Sequence, residues 1–161
     1  MGTLMESVER YFVTEGWETS RIDGGIALRM GVSTKNARWN CVANVDEEDG
    51  VVFFHSICPL KVAAESRPRI AEFLMRLNRV IFLGHFVMDF GSGEIRFETY
   101  IITREGFVRG ESMGACVDAN VSTMDKHIGD IARAISTAIA PAEAVAQALT
   151  GAPVDCAYRY N

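Results

Sequence analysis

Apolar residues recur at helical spacing near both ends of the chain and alternate through its middle. Leu4, Val8, Tyr11 and Phe12 make one stripe, with Glu6, Glu9 and Arg10 on the other side, which predicts a helix over 3–15. Thr3 and Glu6 have capping-box spacing, and Gly16 suits the position just past a helix end. Alternation begins after the turn Asp23-Gly24-Gly25, with Ile26, Leu28 and Met30. Trp39, Cys41, Ala43 and Val45 then alternate against Arg38, Asn40, Val42 and Asn44, so one face is core and the other largely wet. A third strand covers Val51 to Ile57, with Phe53, His55 and Ile57 opposite Val52, Phe54 and Ser56. Both of its faces are apolar, which suits a central strand, and Pro59 is expected to end it. Short connections make these three strands an antiparallel meander.

Helical period returns over 67–81, where Ile70, Phe73, Leu74, Leu77 and Ile81 share a face, Ser66 stands as N-cap and Pro68 lies in the first turn. Gly84 stops that helix. His85 to Phe90 and Glu94 to Ile102 flank the turn Gly91-Ser92-Gly93 as a hairpin, with Ile95, Phe97, Thr99 and Ile101 on one face. From Met113 to Ile139, eight apolar residues step by threes and fours, the strongest helix signal in the chain. Pro141 opens a short Ala-rich helix to about Leu149, and the tail beyond is expected to fray. Five aromatic residues, Trp39, Phe53, Phe73, Phe86 and Phe97, take inward positions. The order α-β-β-β-α-β-β-α predicts an α+β fold: one antiparallel sheet of about five strands with helices on one side. Residues 1–161 read as a single domain, with a core over 4–140 and a C-terminal extension over 141–161.

Composition narrows the function. With 161 residues and a net charge of −5, the chain lacks the basic field of a general nucleic-acid binder. No apolar stretch reaches the length of a membrane span and no export signal opens the chain, so a cytoplasmic protein is expected. Cys41, Cys58, Cys116 and Cys156 form no C-x-x-C pair and are expected to stay free thiols. His55 and Cys58 lie three apart, but no recognised metal-ligand spacing surrounds them, and His55 reads as a polar group on a sheet face. Asp46-Glu47-Glu48-Asp49 reads as a solvated turn, and Arg69, Arg76 and Arg79 as a solvated helix face. No nucleophile elbow, Walker loop or dinucleotide fingerprint is present. The expectation is therefore no catalytic residue, no cofactor and no metal.

One stretch carries a family pattern. Cys58-Pro59-Leu60-Lys61-Val62 leads into a helix ending Arg76-Leu77-Asn78-Arg79; Leu83-Gly84-His85-Phe86, the turn Gly91-Ser92-Gly93 and Glu94-Ile95-Arg96-Phe97 follow. With the opening helix ending Gly16-Trp17, and Trp39 ahead of the acidic turn, this resembles the YbjN family of bacterial sensory-transduction regulators over about 4–140. The resemblance implies a fold like that of type III secretion chaperones, which are small, acidic, usually dimeric and bind partner polypeptides. It implies no catalytic residues. Gly84, Asn78, Asp89 and Arg96 match its pattern in structural roles, with Asp89 and Arg96 placed to pair across the hairpin.

The leading expectation is a non-enzymatic protein-binding or regulatory module, a homodimer that takes up another polypeptide. A structural or assembly subunit is the alternative, and an enzyme with an unrecognised pocket comes third. The face left uncovered by the helices is expected to carry Val42, Val52, Phe54, Val87 and Tyr100, a patch large enough to need a cover.

Overall fold

In the computed structural model, which describes residues 2–150 and the backbone of residues 158–160, the capping box at Thr3 starts the first helix. Glu6 N–H donates to Thr3 Oγ1 at 3.2 Å, and Thr3 N–H donates to Glu6 Oε2 at 2.9 Å. This helix is α1 (Leu4–Thr14), and it is followed by β1 (Ser20–Ile22), β2 (Ala27–Thr34), β3 (Arg38–Asp46) and β4 (Val51–Lys61). Then come α2 (Arg67–Asn78), β5 (His85–Met88), β6 (Glu94–Ile102), α3 (Gly110–Ser136), α4 (Pro141–Thr150) and β7 (Tyr158–Tyr160).

The strands make one antiparallel sheet in the order β1-β2-β3-β4-β6-β5, and β7 also pairs with β2. The α+β class and the single sheet agree with the sequence pattern. The sheet is larger than expected by two short strands. β1 has three residues, too few to show a period, and pairs with Ala27–Arg29. β7 lies in the segment expected to fray and pairs with Val32–Thr34, so the two strands share one edge of β2. The rest of that expectation, on residues 151–157 and 161, lies outside the described residues.

Three element ends also differ. β4 runs through Pro59 to Lys61, and its pairing with β6 shifts between Ile57 and Lys61. An irregular register is where a strand tolerates a residue with no N–H. α2 stops at Asn78 rather than Ile81, because the Asn78 side chain turns to the backbone of Phe86. Its Nδ2 donates to Phe86 O at 2.9 Å, and its Oδ1 accepts from Phe86 N at 2.7 Å. Ser66 makes no side-chain cap bond; it closes a single 3-10 turn, Ala64–Ser66, that leads into α2. α3 ends at Ser136, with Thr137 extended, so Ile139 falls outside it.

α3 lies across β4 and β6, α2 packs on β5, and α4 packs on α2 and α3. Phe12 of α1 stacks on Phe54 at 6.0 Å between ring centres, and Phe86 meets Phe97 edge-on at 4.7 Å. Phe73 and Leu77 of α2 and Phe86 and Phe97 on the helix side of the sheet are all buried, as expected, with Phe86 also meeting His127 of α3. The apolar stripe of α3 also holds an unexpected buried amide. Asn120 Nδ2 donates to Phe54 O at 2.9 Å, Phe97 O at 3.0 Å and Thr99 Oγ1 at 3.1 Å, fixing the helix over the two central strands.

Register assigns the faces. Leu28, Ala43, Phe54 and Thr99 are cross-strand neighbours on the helix side, as are Val45, Val52 and Ile101. Val52 and Phe54, expected on the open face, are therefore core residues with no exposure. Phe53, expected inward, is on the open face and 38% exposed. The cause is a single step of phase in β4. With apolar side chains on both faces, its own pattern does not choose between them, and pairing with β3 and β6 does.

Candidate protein-binding face

The open face is built from every second residue of β2, β3, β4, β6 and β5. One cross-strand row is Arg29, Val42, His55, Glu98 and His85. To one side lie the rows Asn44, Phe53, Tyr100 and then Asp46, Val51, Ile102; to the other lies Gly31, Asn40, Ile57, Arg96, Val87. Of the five residues expected here, Val42, Val87 and Tyr100 do share this face, while Val52 and Phe54 lie beneath it. Phe53, Ile57 and Ile102 take their place. Tyr100 is 54% exposed and Ile102 66%, and the Phe53 and Tyr100 rings lie 6.1 Å apart.

The centre of the face is ionisable. Glu98 sits between two imidazoles, with Oε1 3.2 Å from His55 Nδ1 and Oε2 3.3 Å from His85 Nε2. His55 is nearly buried under the stacked ring of Phe53, and its Nδ1 is too poorly directed at Glu98 for a full hydrogen bond. Burial pulls the His55 imidazole below its ordinary value, Arg96 and His85 add to that, and Glu98 opposes it. Arg96 pairs with Glu94 at 2.6 Å, not with Asp89 as the hairpin suggests. Asp89 instead accepts the Gly91 N–H at 2.7 Å inside its own turn.

Other candidate residues take structural positions. His55 is on the open face while Cys58 is buried, so the two do not converge. Among the described residues, no group of three His, Cys, Asp or Glu is placed to hold a metal. Burial pushes the Cys41 thiol up to about 12 and raises Cys58 and Cys116 too, so these thiols are poor nucleophiles at neutral pH. All three are free, and Cys156 lies outside the described residues. Glu47 is more than a solvated acid: its carboxylate accepts the N–H groups of Leu4 and Met5 at 3.0 and 2.8 Å, at the start of α1. Arg69 donates to Ala134 O at 2.6 Å at the end of α3, and Arg76 pairs with Glu72. A cavity of about 580 Å³ between α1 and the loop before α3 is lined by Arg10, Tyr11, Glu105 and Phe107, with no His or Cys. No helix among the described residues is long and apolar enough to cross a membrane.

A second apolar surface escaped the periodicity. Because α2 ends early, Val80, Phe82 and Leu83 stand exposed in the loop before β5, with Phe82 96% exposed. The signal was four consecutive apolar residues, Val80 to Leu83, running past a helix end.

Comparison with known proteins gives a coherent result. A family model, YbjN, described as "Putative bacterial sensory transduction regulator", matches residues 5–133. No curated protein sequence matches the chain. Among the solved structures that share the fold are two that align over most of this chain. The crystal structure of YbjN from E. coli, "a putative transcription regulator", aligns with a TM-score of 0.56 and 13% identity over 81% of this chain and 87% of that one. The ExsC–ExsE complex aligns with a TM-score of 0.54 and 12% identity over 80% of this chain and 96% of that one.

Proposed function

The chain belongs to the YbjN family, and on that premise we propose that it is a non-enzymatic cytoplasmic module that binds another polypeptide and works as a homodimer. The observation that carries this reading is the open sheet face. Phe53, Tyr100 and Ile102 lie exposed together on a sheet whose other side is filled by helices. A contiguous apolar patch of this kind is a docking surface by default in a folded chain. The fold supports the same reading, since ExsC was solved in complex with ExsE on a similar scaffold.

Phe53→Ser combined with Tyr100→Ser tests the face. Both side chains are exposed at least in part, so the variant is expected to keep its denaturation midpoint and lose a partner that wild type retains from its native host. Undiminished capture of the same partner would remove the sheet face from consideration.

The homodimer is assigned to the Phe82 loop. Phe82, 96% exposed, itself lines a cavity of about 280 Å³ together with Leu83, Ala119, Lys126, His127 and Leu149. This exposed apolar patch is the surface the dimer reading uses, since a two-fold contact sets the same patch of both copies against each other. Light scattering is expected to give twice the 17.7 kDa chain mass for wild type and the single mass for Phe82→Ser. A wild-type monomer at tens of micromolar would defeat the dimer.

A further inference from the structure

The open face is divided along its strands. One end is apolar, with Val51, Phe53, Tyr100 and Ile102; Arg38, Lys61 and Arg96 gather at the other, and Arg29 flanks the row between. Among the described residues, the carboxylates of this face have partners of their own. Glu94 holds Arg96, Glu98 lies between His55 and His85, and Asp46 accepts the N–H groups of Glu48 and Asp49. The cations are not matched in the same way. Arg29 and Lys61 hold no carboxylate among the described residues, and Arg38 has only the Ser33 hydroxyl at 2.7 Å. Arg29, Arg38 and Lys61 are exposed and make no ion pair among the described residues; Glu94, opposite Lys61 in the ladder, is turned to Arg96 instead, and the chain as a whole carries a net charge of −5.

We propose that the occupant of this face is an acidic polypeptide segment. Apolar side chains at one end of the segment meet Phe53 and Tyr100, and carboxylates at its other end meet Arg29, Arg38 and Lys61. The inference rests on reading the face as a docking surface and adds the chemistry of the partner. From Ile102 to Glu94 the β6 ladder spans ~27 Å, the reach of about eight extended residues at ~3.3 Å each. Charge complementarity of this kind sets which partner is accepted and how fast it arrives. A nucleic acid fits less well, because its phosphates call for a continuous basic stripe, whereas half of this face is apolar.

The test uses the full chain and two labelled peptides, each with four apolar residues joined to four glutamates or four lysines, made in both chain orders. Fluorescence anisotropy is expected to show the glutamate peptide binding about tenfold tighter than the lysine peptide. Arg29→Glu with Lys61→Glu is expected to weaken the glutamate peptide about tenfold, and added salt to weaken it further. No binding of the glutamate peptide, equal binding of the lysine peptide, no effect of the double variant, or displacement by a single-stranded oligonucleotide would each overturn the proposal. The Phe53→Ser, Tyr100→Ser variant separates the two readings. If both peptides need these rings but ignore charge, the acidic partner falls and the docking face stands. If the glutamate peptide binds unchanged without the rings, the docking face falls too.

Discussion

Phe73 is fully buried on α2 against the sheet, in a stripe that also holds Ile70, Leu74 and Leu77. Phe73→Ala removes a ring and leaves a cavity the neighbours fill only in part, at an expected cost of ~3–5 kcal/mol. Chemical denaturation checks this, and an unchanged midpoint would show that the stripe does not pack as described. His55 titrates at lower pH than an exposed histidine. Its folded value lies below the ordinary 6.5 because burial disfavours the imidazolium. The fold therefore favours the neutral ring. The stability linked to it is present above about 6.5 and is lost as pH falls through the folded value. An NMR titration of the His55 ring is expected to show a midpoint below 6.5, and His55→Gln to flatten the acid side of the stability profile. A midpoint at or above 6.5 would mean that Glu98 outweighs burial. The α2 core stripe was open to reading from spacing, but the faces of Val52, Phe53 and Phe54 and the partners of His55 were not. Glu98 and His85 lie more than twenty-five residues downstream, and only strand order makes them neighbours.

At the scale of elements, the start of α1 shows how local signals and tertiary contacts combine. Thr3 and Glu6 were legible as a capping box from spacing alone. Glu47 was not, because its turn lies over forty residues away in sequence. Its carboxylate meets the two N–H groups at the positive end of the helix. Glu47→Ala is expected to cost about 1 kcal/mol, the usual scale for a lost cap, with fraying of α1 visible as faster amide exchange at Leu4 and Met5. Unchanged exchange there would show that the local box suffices. Strand phase obeys the same rule. β3 and β6 alternate apolar and polar residues and choose their own faces, but β4 is apolar on both sides and takes its face from its neighbours.

At the scale of the whole molecule, cysteine chemistry is a check on the environment in which the chain folds. Cys41 and Cys58 are buried, Cys116 is half-buried, and all three are free. Alkylation under denaturing, non-reducing conditions is expected to label four thiols in the full chain, counting Cys156. Two labelled thiols would contradict the cytoplasmic reading. The assembled sheet also leaves one side free for the proposed docking. α1, α2 and α3 cover the helix side, and β1 and β7 share the outer edge of β2. The open face is left with its exposed rings and unmatched cations.

The sequence by itself determined the helices, the six longer strand and helix signals of the middle region, and the α+β class. These follow from period and capping, which are local and need no partner. It also determined the family pattern, because glycine, proline and the Leu77-Asn78 helix end hold the α2–β5–β6 segment in place. Gly84 shows why: its φ is +81°, and a Cβ there would come within 2.5 Å of Glu98 O. Tertiary structure alone decided three things: which face of β4 points inward, where α2 stops, and that Glu98 stands between two histidines. Each depends on pairing between distant segments. A strand with two apolar faces, an asparagine that can serve helix or strand, and a carboxylate on an exposed row carry no preference until their neighbours arrive.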